Sequence, residues 1–164
     1  MVSLSLNTDI IKLKQDDGYM TPKEVWVSIA HLIPKDKVIW ESFYGDGNSG
    51  KHLKELGFKV ESHDVDFFDD QKFNYDIIIS NPPYSIKAKV FKKLSKIDKP
   101  FMMLVPVSTM TKLYLKKYFK DKIQLVIPER RIQFIKDGVQ NNRCYFDTVW
   151  ICYKMDIKTD ILFL

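Results

Sequence analysis

Apolar residues along this chain fall in short blocks whose spacing switches between a helical and a strand period. Val25, Trp26, Ile29, Leu32 and Ile33 recur at helical intervals. Thr21-Pro22-Lys23-Glu24 stands just ahead of them and predicts a helix start. Thr21 would be the N-cap, Pro22 the first helical residue and Glu24 the partner that completes a capping box. Pro34 closes that helix. Residues 38–43 read as a strand, a glycine-rich segment follows, and residues 51–56 form a short helix stopped by Gly57. Further strands are predicted at 58–62, 75–80, 101–105, 123–127 and 145–153, with helices at 86–94 and 112–119. Helices alternating with apolar strands predict a doubly wound α/β sheet. Only a basic, irregular stretch around 136–143 separates the last two strands, which predicts an antiparallel pair at one edge. Residues 1–18 alternate weakly and read as an arm or edge strand, leaving 19–164 as one folded domain.

Composition narrows the class without naming a function. A chain of 164 residues, 45% apolar and 29% charged, is long enough for a full core. Its apolar runs are too short to span a bilayer, and its N-terminus lacks a signal-peptide pattern, so no membrane partner is expected. Cys144 and Cys152 are the only cysteines, which gives no disulfide framework and no metal-ligand spacing. No metal is expected, and a reducing cytoplasm is the default location. The net charge of +5 is compatible with a polyanionic partner. Lysines cluster at 87–99 and again at 112–122, where solvated helix faces are the plainest explanation.

The chemistry concentrates at two strand ends. Ile77-Ile78-Ile79-Ser80 runs into Asn81-Pro82-Pro83-Tyr84, a buried strand halted by two residues of fixed φ. That junction presents an amide side chain, a carbonyl and an aromatic ring at a strand's carboxyl end, where open α/β sheets bind ligands. Earlier, Gly45-Asp46-Gly47-Asn48-Ser49-Gly50-Lys51-His52 admits three readings. It matches the dinucleotide fingerprint G-x-G-x-x-G, with Asp64 at the separation of a ribose-binding acid. It falls one residue short of a phosphate-binding P-loop, since His52 stands where the Mg²⁺-ligating hydroxyl belongs. It also suits a nucleoside cofactor without phosphates that approaches the backbone closely. The loop alone does not choose among them.

Taken in order, Tyr19-Met20-Thr21-Pro22, Phe43-Tyr44-Gly45-Asp46-Gly47, Asp64, Asp66-Phe67-Phe68 and Asn81-Pro82-Pro83-Tyr84 resemble the motif series of the S-adenosylmethionine-dependent amino-methyltransferases. The likeness is greatest to the small adenine-N6 DNA methyltransferases of phages and viruses. Arg130-Arg131-Ile132-Gln133-Phe134 and Phe146-Asp147-Thr148 look like the C-terminal part of those enzymes. The resemblance implies a single-domain, Rossmann-like class I methyltransferase sheet with an antiparallel C-terminal strand. It implies S-adenosylmethionine as cofactor, with Tyr19, Thr21, Glu41, Gly45, Gly47, Asp64, Asp66, Phe67 and Asn81 around it. Thr21 and its neighbours would take the methionine carboxylate, Glu41 the amino group, Asp64 the ribose, and Asp66 with Phe67 the adenine. Asn81, Pro82, Pro83 and Tyr84 would be the catalytic corner, and Tyr84, Lys87, Arg131 and Arg143 would meet the substrate. The implied partner is nucleic acid, DNA ahead of RNA, with a homodimer or partner subunit as further assemblies.

Two departures stand out. Between Gly57 and Asp76 there is too little chain for the usual strand, helix and strand, so an abbreviated or missing third-strand region is predicted. The chain also leaves no room for a separate target-recognition domain, and residues 136–143 are the remaining candidate for touching substrate. Rival readings are methylation of RNA or of a protein glutamine amide, a non-catalytic subunit that keeps the fold, and a nucleoside triphosphatase.

Overall fold

Ile77, Ile78 and Ile79 are buried on both sides of the strand they form, which places that strand in the middle of a sheet. A computed structural model describes residues 17–140 and 146–164; the segment 1–16, Arg143 and Cys144 lie outside them. Four α-helices and nine strands occur among the described residues, with short 3-10 helices between some of them: β1 (Val38–Trp40), β2 (Lys59–Glu61), β3 (Ile77–Ser80), β4 (Phe101–Pro106), β5 (Ile123–Ile127), β6 (Ile135–Lys136), β7 (Val139–Gln140), β8 (Thr148–Tyr153) and β9 (Ile161–Phe163), with α1 (Lys23–Ile29), α2 (Asn48–Glu55), α3 (Lys87–Ile97) and α4 (Leu113–Phe119). Seven strands form one sheet in the order β2-β1-β3-β4-β8-β5-β9, and β6 pairs with β7 apart from it.

The first four strands in that order are parallel, and β8 runs antiparallel between β4 and β5. Strand period fixes which side chain faces which layer. Ile39, Ile77, Ile79, Met102, Leu104, Trp150 and Cys152 pack on one side with Val25, Trp26 and Ile29 of α1 and Leu53 of α2. Trp40, Ile78, Phe101, Met103, Val105, Val149 and Ile151 pack on the other with Val90, Phe91 and Leu94 of α3 and Leu115 and Phe119 of α4. The expected three-layer α/β architecture and an antiparallel strand late in the chain are therefore present. That strand, β8, lies between β4 and β5 rather than in a pair at the edge, and β9 forms the edge instead. Residues 62–76, all described, contain neither strand nor helix, and the sheet ends at β2. That matches the shortened third-strand region.

Two features differ from the local expectations. Thr21 does not cap α1: Pro22 occupies the cap position in extended conformation, with no side-chain cap bond, and the helix begins at Lys23. Pro22 shifts the start by one residue, so the Thr21 hydroxyl is turned away from the helix amides it was expected to satisfy. The second is β9, a strand the pattern did not suggest. It adds to the edge of β5 in parallel, held by Leu125 N–H to the Asp160 carbonyl (2.8 Å) and Leu164 N–H to the Ile127 carbonyl (3.0 Å). The basic connection 136–143 opens as a hairpin, with Asp137 and Gly138 both at positive φ (51° and 75°) between β6 and β7. Two such residues make the tight turn that matches strand twist. No helix among the described residues is long and apolar enough to cross a membrane.

Ile79 is fully buried in β3. Its replacement by Ala is expected to lower the free energy of unfolding in urea by about 2–5 kcal/mol, the usual cost of emptying a core site. A loss below about 1 kcal/mol would contradict its placement at the centre of the sheet.

Candidate active site

Strand order reverses beside β1, which has β2 on one side and β3 on the other. A crevice forms at the carboxyl ends of strands at such a switch point. Here it is a cleft of about 200 Å³ lined by residues 41–45 after β1, Asn81-Pro82-Pro83-Tyr84 after β3, Asp64 and Val65 after β2, Ser49, and the entering segment Asp17 to Thr21.

Glu41 forms the floor. It is 1% exposed and accepts hydrogen bonds from the Ser80 hydroxyl at 2.5 Å, the Ser62 hydroxyl at 3.2 Å and the Phe43 amide at 3.4 Å. Ser80 in turn accepts from the Phe43 amide at 3.2 Å. One carboxylate thus ties together the ends of β1, β2 and β3. Burial pushes its pKa up from 4.5 to about 7; the donated hydrogen bonds oppose this shift and Asp46 adds slightly to it.

The glycines shape the wall. Gly45 and Gly47 have φ of 56° and 79°. A Cβ on Gly45 would lie 2.9 Å from the Met20 sulfur, and one on Gly47 would lie 2.8 Å from the Tyr44 hydroxyl. Both positions therefore need glycine on conformational and steric grounds. Gly50 serves a different purpose, since a Cβ there would collide with Ser62, and its absence lets α2 approach the end of β2. The Asp46 carboxylate already accepts from the Asn48 amide at 3.0 Å and from the Asn48 side chain at 2.7 Å. A negative charge at the start of α2 opposes a phosphate there, which disfavours the P-loop reading.

The proline corner is braced from outside. Asn81 donates through Nδ2 to the Tyr19 carbonyl at 3.3 Å, while its Oδ1 is buried with no donor among the described residues. The Asp17 carboxylate accepts from both the backbone amide (3.2 Å) and the hydroxyl of Ser85. Lys87 Nζ donates to the Tyr84 carbonyl at 2.7 Å. Phe146 meets Tyr84 edge to face at 5.4 Å and also meets Tyr19 at 5.9 Å. Met20 exchanges two backbone hydrogen bonds with Ile135 of β6 (2.7 and 2.9 Å), which ties the entering segment to the hairpin. Thr21 borders the cleft, and its hydroxyl is buried with no partner among the described residues.

Of the residues assigned from the sequence, Tyr19, Thr21, Glu41, Gly45, Asp64, Asn81, Pro82, Pro83 and Tyr84 come together in the cleft. Gly47 stands behind Tyr44. Phe67 is 2% exposed, stacked on Trp40 (5.4 Å) and against Phe43 (4.8 Å). It therefore supports the ring of Phe43, which lines the cleft. Asp66 is exposed and accepts from the Phe68 amide at 2.8 Å, outside the lining. Arg131 lies away from the cleft, paired through two bonds (2.7 and 3.2 Å) with Asp147, beside a larger groove of about 740 Å³ between α1, residues 128–133 and the C-terminus. Arg143 is outside the described residues. Sequence reasoning passed over Asp17, Ser42, Ser49 and Val65. Asp17 carried no periodic signal, and the others read as spacers between motif residues.

No family model matches the chain, and no curated protein matches its sequence. Its fold does match solved structures. A dimethyladenosine transferase from Plasmodium falciparum superposes with a TM-score of 0.52 at 14% identity, over 82% of this chain and 62% of that one. A Listeria monocytogenes protein assigned to the class I S-adenosylmethionine-dependent methyltransferases gives 0.48 at 14% identity, over 88% and 64%. The chain thus spans less than two thirds of either structure. The first likeness shows that this chain shares the α/β fold of that transferase, a Rossmann-like sheet.

Because the folded-state pKa of Glu41 lies above its value of 4.5 in the unfolded chain, folding favours its protonated form. This stabilisation is full below about pH 4.5 and is lost as the pH rises through about 7. Glu41→Gln is expected to flatten the fall in unfolding free energy between pH 5 and 8 by an amount on the order of 3 kcal/mol. Identical pH dependence in the two proteins would contradict a buried, elevated carboxyl.

Proposed function

We propose that the protein transfers a methyl group from S-adenosylmethionine to the exocyclic N6 amino group of adenine in DNA. The observation that carries the reading is Asn81: its amide nitrogen is anchored on the Tyr19 carbonyl, and its oxygen is buried without a donor, in the same cleft as Gly45 and Asp64. An unsatisfied buried acceptor costs about 1–3 kcal/mol. A substrate N–H is the group that would relieve it.

The residues present fit the cofactor. The positive-φ glycines let Met20 and Tyr44 pack closely against the loop that walls the cleft, and Thr21 offers a buried hydroxyl with no partner among the described residues. Asp64, exposed at the cleft's edge, suits the ribose hydroxyls, and Thr21 suits the carboxylate. Glu41 lies nearest in chemistry to the amino group, since an ammonium would favour ionising a carboxyl held near neutrality. When bound, S-adenosylmethionine supplies a methyl group on a positively charged sulfur.

The chain's own residues address the harder half of the problem. An exocyclic amino group is a weak nucleophile because its lone pair is delocalised into the ring. Asn81 Oδ1 and the Pro82 carbonyl would each accept one amino hydrogen, favouring pyramidal nitrogen and stabilising the positive charge that develops there. This is oxyanion-hole electrostatics with the signs reversed. Tyr84 would cover the face of the base, which in a duplex must first leave the stack. Lys87, held on the Tyr84 carbonyl, fixes the position of that ring's backbone. Placing both partners in one cleft supplies orientation.

A methyl acceptor in RNA or a protein glutamine amide presents the same planar nitrogen, and incubation with each class separates these from DNA. Asn81→Ala is expected to cut transfer about 100-fold or more while cofactor affinity measured by calorimetry changes less than about threefold. Asp64→Ala is expected to weaken cofactor binding about tenfold, the worth of a lost charge-assisted hydrogen bond. Equal loss of binding in both variants would contradict the division of roles.

A further inference from the structure

Charge is distributed unevenly along this chain. Residues 87–122 hold eleven lysines and two carboxylates, whereas the rest holds fifteen Lys and Arg against nineteen Asp and Glu. A protein of net charge +5 thus carries about +9 in one stretch and a negative remainder. That stretch builds α3, β4 and α4. The strand is buried, so the charge falls on the two helices and their ends. Phe91 of α3 stacks on Tyr114 of α4 at 5.8 Å and meets Phe119 at 6.1 Å, which sets the helices side by side on one face of the sheet.

Three of these lysines are used internally. Lys87 holds the Tyr84 carbonyl, Lys93 the Phe68 carbonyl and Asp70, and Lys99 the Tyr75 carbonyl. Others point outward. Lys89, Lys92 and Lys96 of α3 recur at helical spacing, and Lys112, Lys116 and Lys120 recur through and around α4. All six are exposed, and among the described residues none makes a hydrogen bond or ion pair through its ammonium group. Of the two carboxylates in the stretch, Asp98 is taken by Tyr153 and Lys154.

This arrangement works against the fold in isolation. Like charges three and four residues apart destabilise a helix. Lys87 and Lys89 also occupy the first turn of α3, where the helix dipole disfavours cations, and no acid is present there. Lys87 is further held below its ordinary pKa by burial and by the nearby Lys112, so the two helices bring like charges together at the end next to the proline corner. Neither helix contains an acid to offset this. A polyanion laid on the surface would supply the missing counter-charge.

We propose that the outward faces of α3 and α4 bind the phosphate backbone of the DNA whose base enters the cleft. The inference rests on the reading of the cleft as a nucleic-acid methyltransferase site. The outward face begins at Lys89, five residues beyond Tyr84, so a backbone gripped there adjoins the corner that receives the base. α3 is about 16 Å long at 1.5 Å per residue. Duplex DNA carries one negative charge per about 1.7 Å of axis, so that length presents phosphates in ample number for the exposed ammonium groups. Contacts of this kind position a duplex without reading its sequence. They give this domain a means of holding its substrate next to the cleft.

The test is the salt dependence of binding to an adenine-containing DNA duplex, with an RNA duplex of the same sequence as a second arm. The triple variant Lys89→Gln, Lys92→Gln, Lys96→Gln is expected to reduce the slope of log K against log salt by about 2–3, since each phosphate contact contributes about 0.9. The loss should be similar for unrelated DNA sequences. A control triple, Lys54→Gln, Lys59→Gln, Lys158→Gln, removes the same charge elsewhere and should change the slope by less than about one. Calorimetric affinity for S-adenosylmethionine should be unchanged in both. An unaltered slope in the first triple, or equal loss in the control, overturns the proposal. Loss confined to the RNA arm overturns the choice of DNA. Methyl transfer by the wild-type protein is measured in parallel. Transfer with an unaltered slope sinks the surface alone, and an altered slope with no transfer sinks the reading of the cleft alone.

Discussion

A single buried carboxylate holds the three strand ends on which the cleft is built. Glu41 follows β1 directly, and it reaches Ser62 beyond β2 and Ser80 at the end of β3. Burying an ionisable group is unfavourable unless hydrogen bonds compensate, and here the compensation comes from residues 21 and 39 positions away along the chain. Burial still prevails, leaving the carboxyl poised near neutrality. Loosening that knot would let the loop of Gly45 and the corner of Asn81 move independently. Their relative placement is what any chemistry in the cleft requires.

The corner itself is stiffened from both sides. Inside, Pro82 and Pro83 limit the backbone directly after a fully buried strand. Outside, the entering segment lies across it: Asp17 grips Ser85, the Tyr19 carbonyl fixes the Asn81 amide, and Met20 both bonds β6 and packs over Gly45. Orienting the amide nitrogen outward commits its oxygen inward. The Asn81 side chain is therefore held in one orientation rather than turning freely.

Much of this was legible in local sequence. Three successive isoleucines before two prolines define a buried strand and its abrupt end, and clustered glycines mark a loop needing positive φ and close approach. The shortfall of residues between Gly57 and Asp76 gave the absent strand by length alone. What the sequence hid is long-range. Thr21 carries every local mark of an N-cap, yet Pro22 takes that position, and Thr21 borders the cleft with its hydroxyl buried. Phe67 sits in a motif associated with a cofactor base, but Trp40 and Phe43 offer it an apolar bed that only the folded sheet assembles. Arg131 finds Asp147 across 16 positions and is drawn away from the cleft. Strand β9 lies in the short apolar run Ile161-Leu162-Phe163-Leu164, which has neither period-2 alternation nor a flanking turn signal of its own, and only its parallel partner β5 makes it a strand.

Together these features describe a rigid pair of strand ends, which on the proposed reading admit a nucleoside cofactor at one and offer hydrogen-bond acceptors to a planar amine at the other. The most direct test of that account is the chemical identity of the product. Wild-type protein incubated with isotopically labelled S-adenosylmethionine and unmethylated DNA, followed by digestion and nucleoside mass spectrometry, should place the label on N6 of deoxyadenosine. Label on a ring carbon, on an oxygen, or nowhere in DNA, RNA or protein would contradict it.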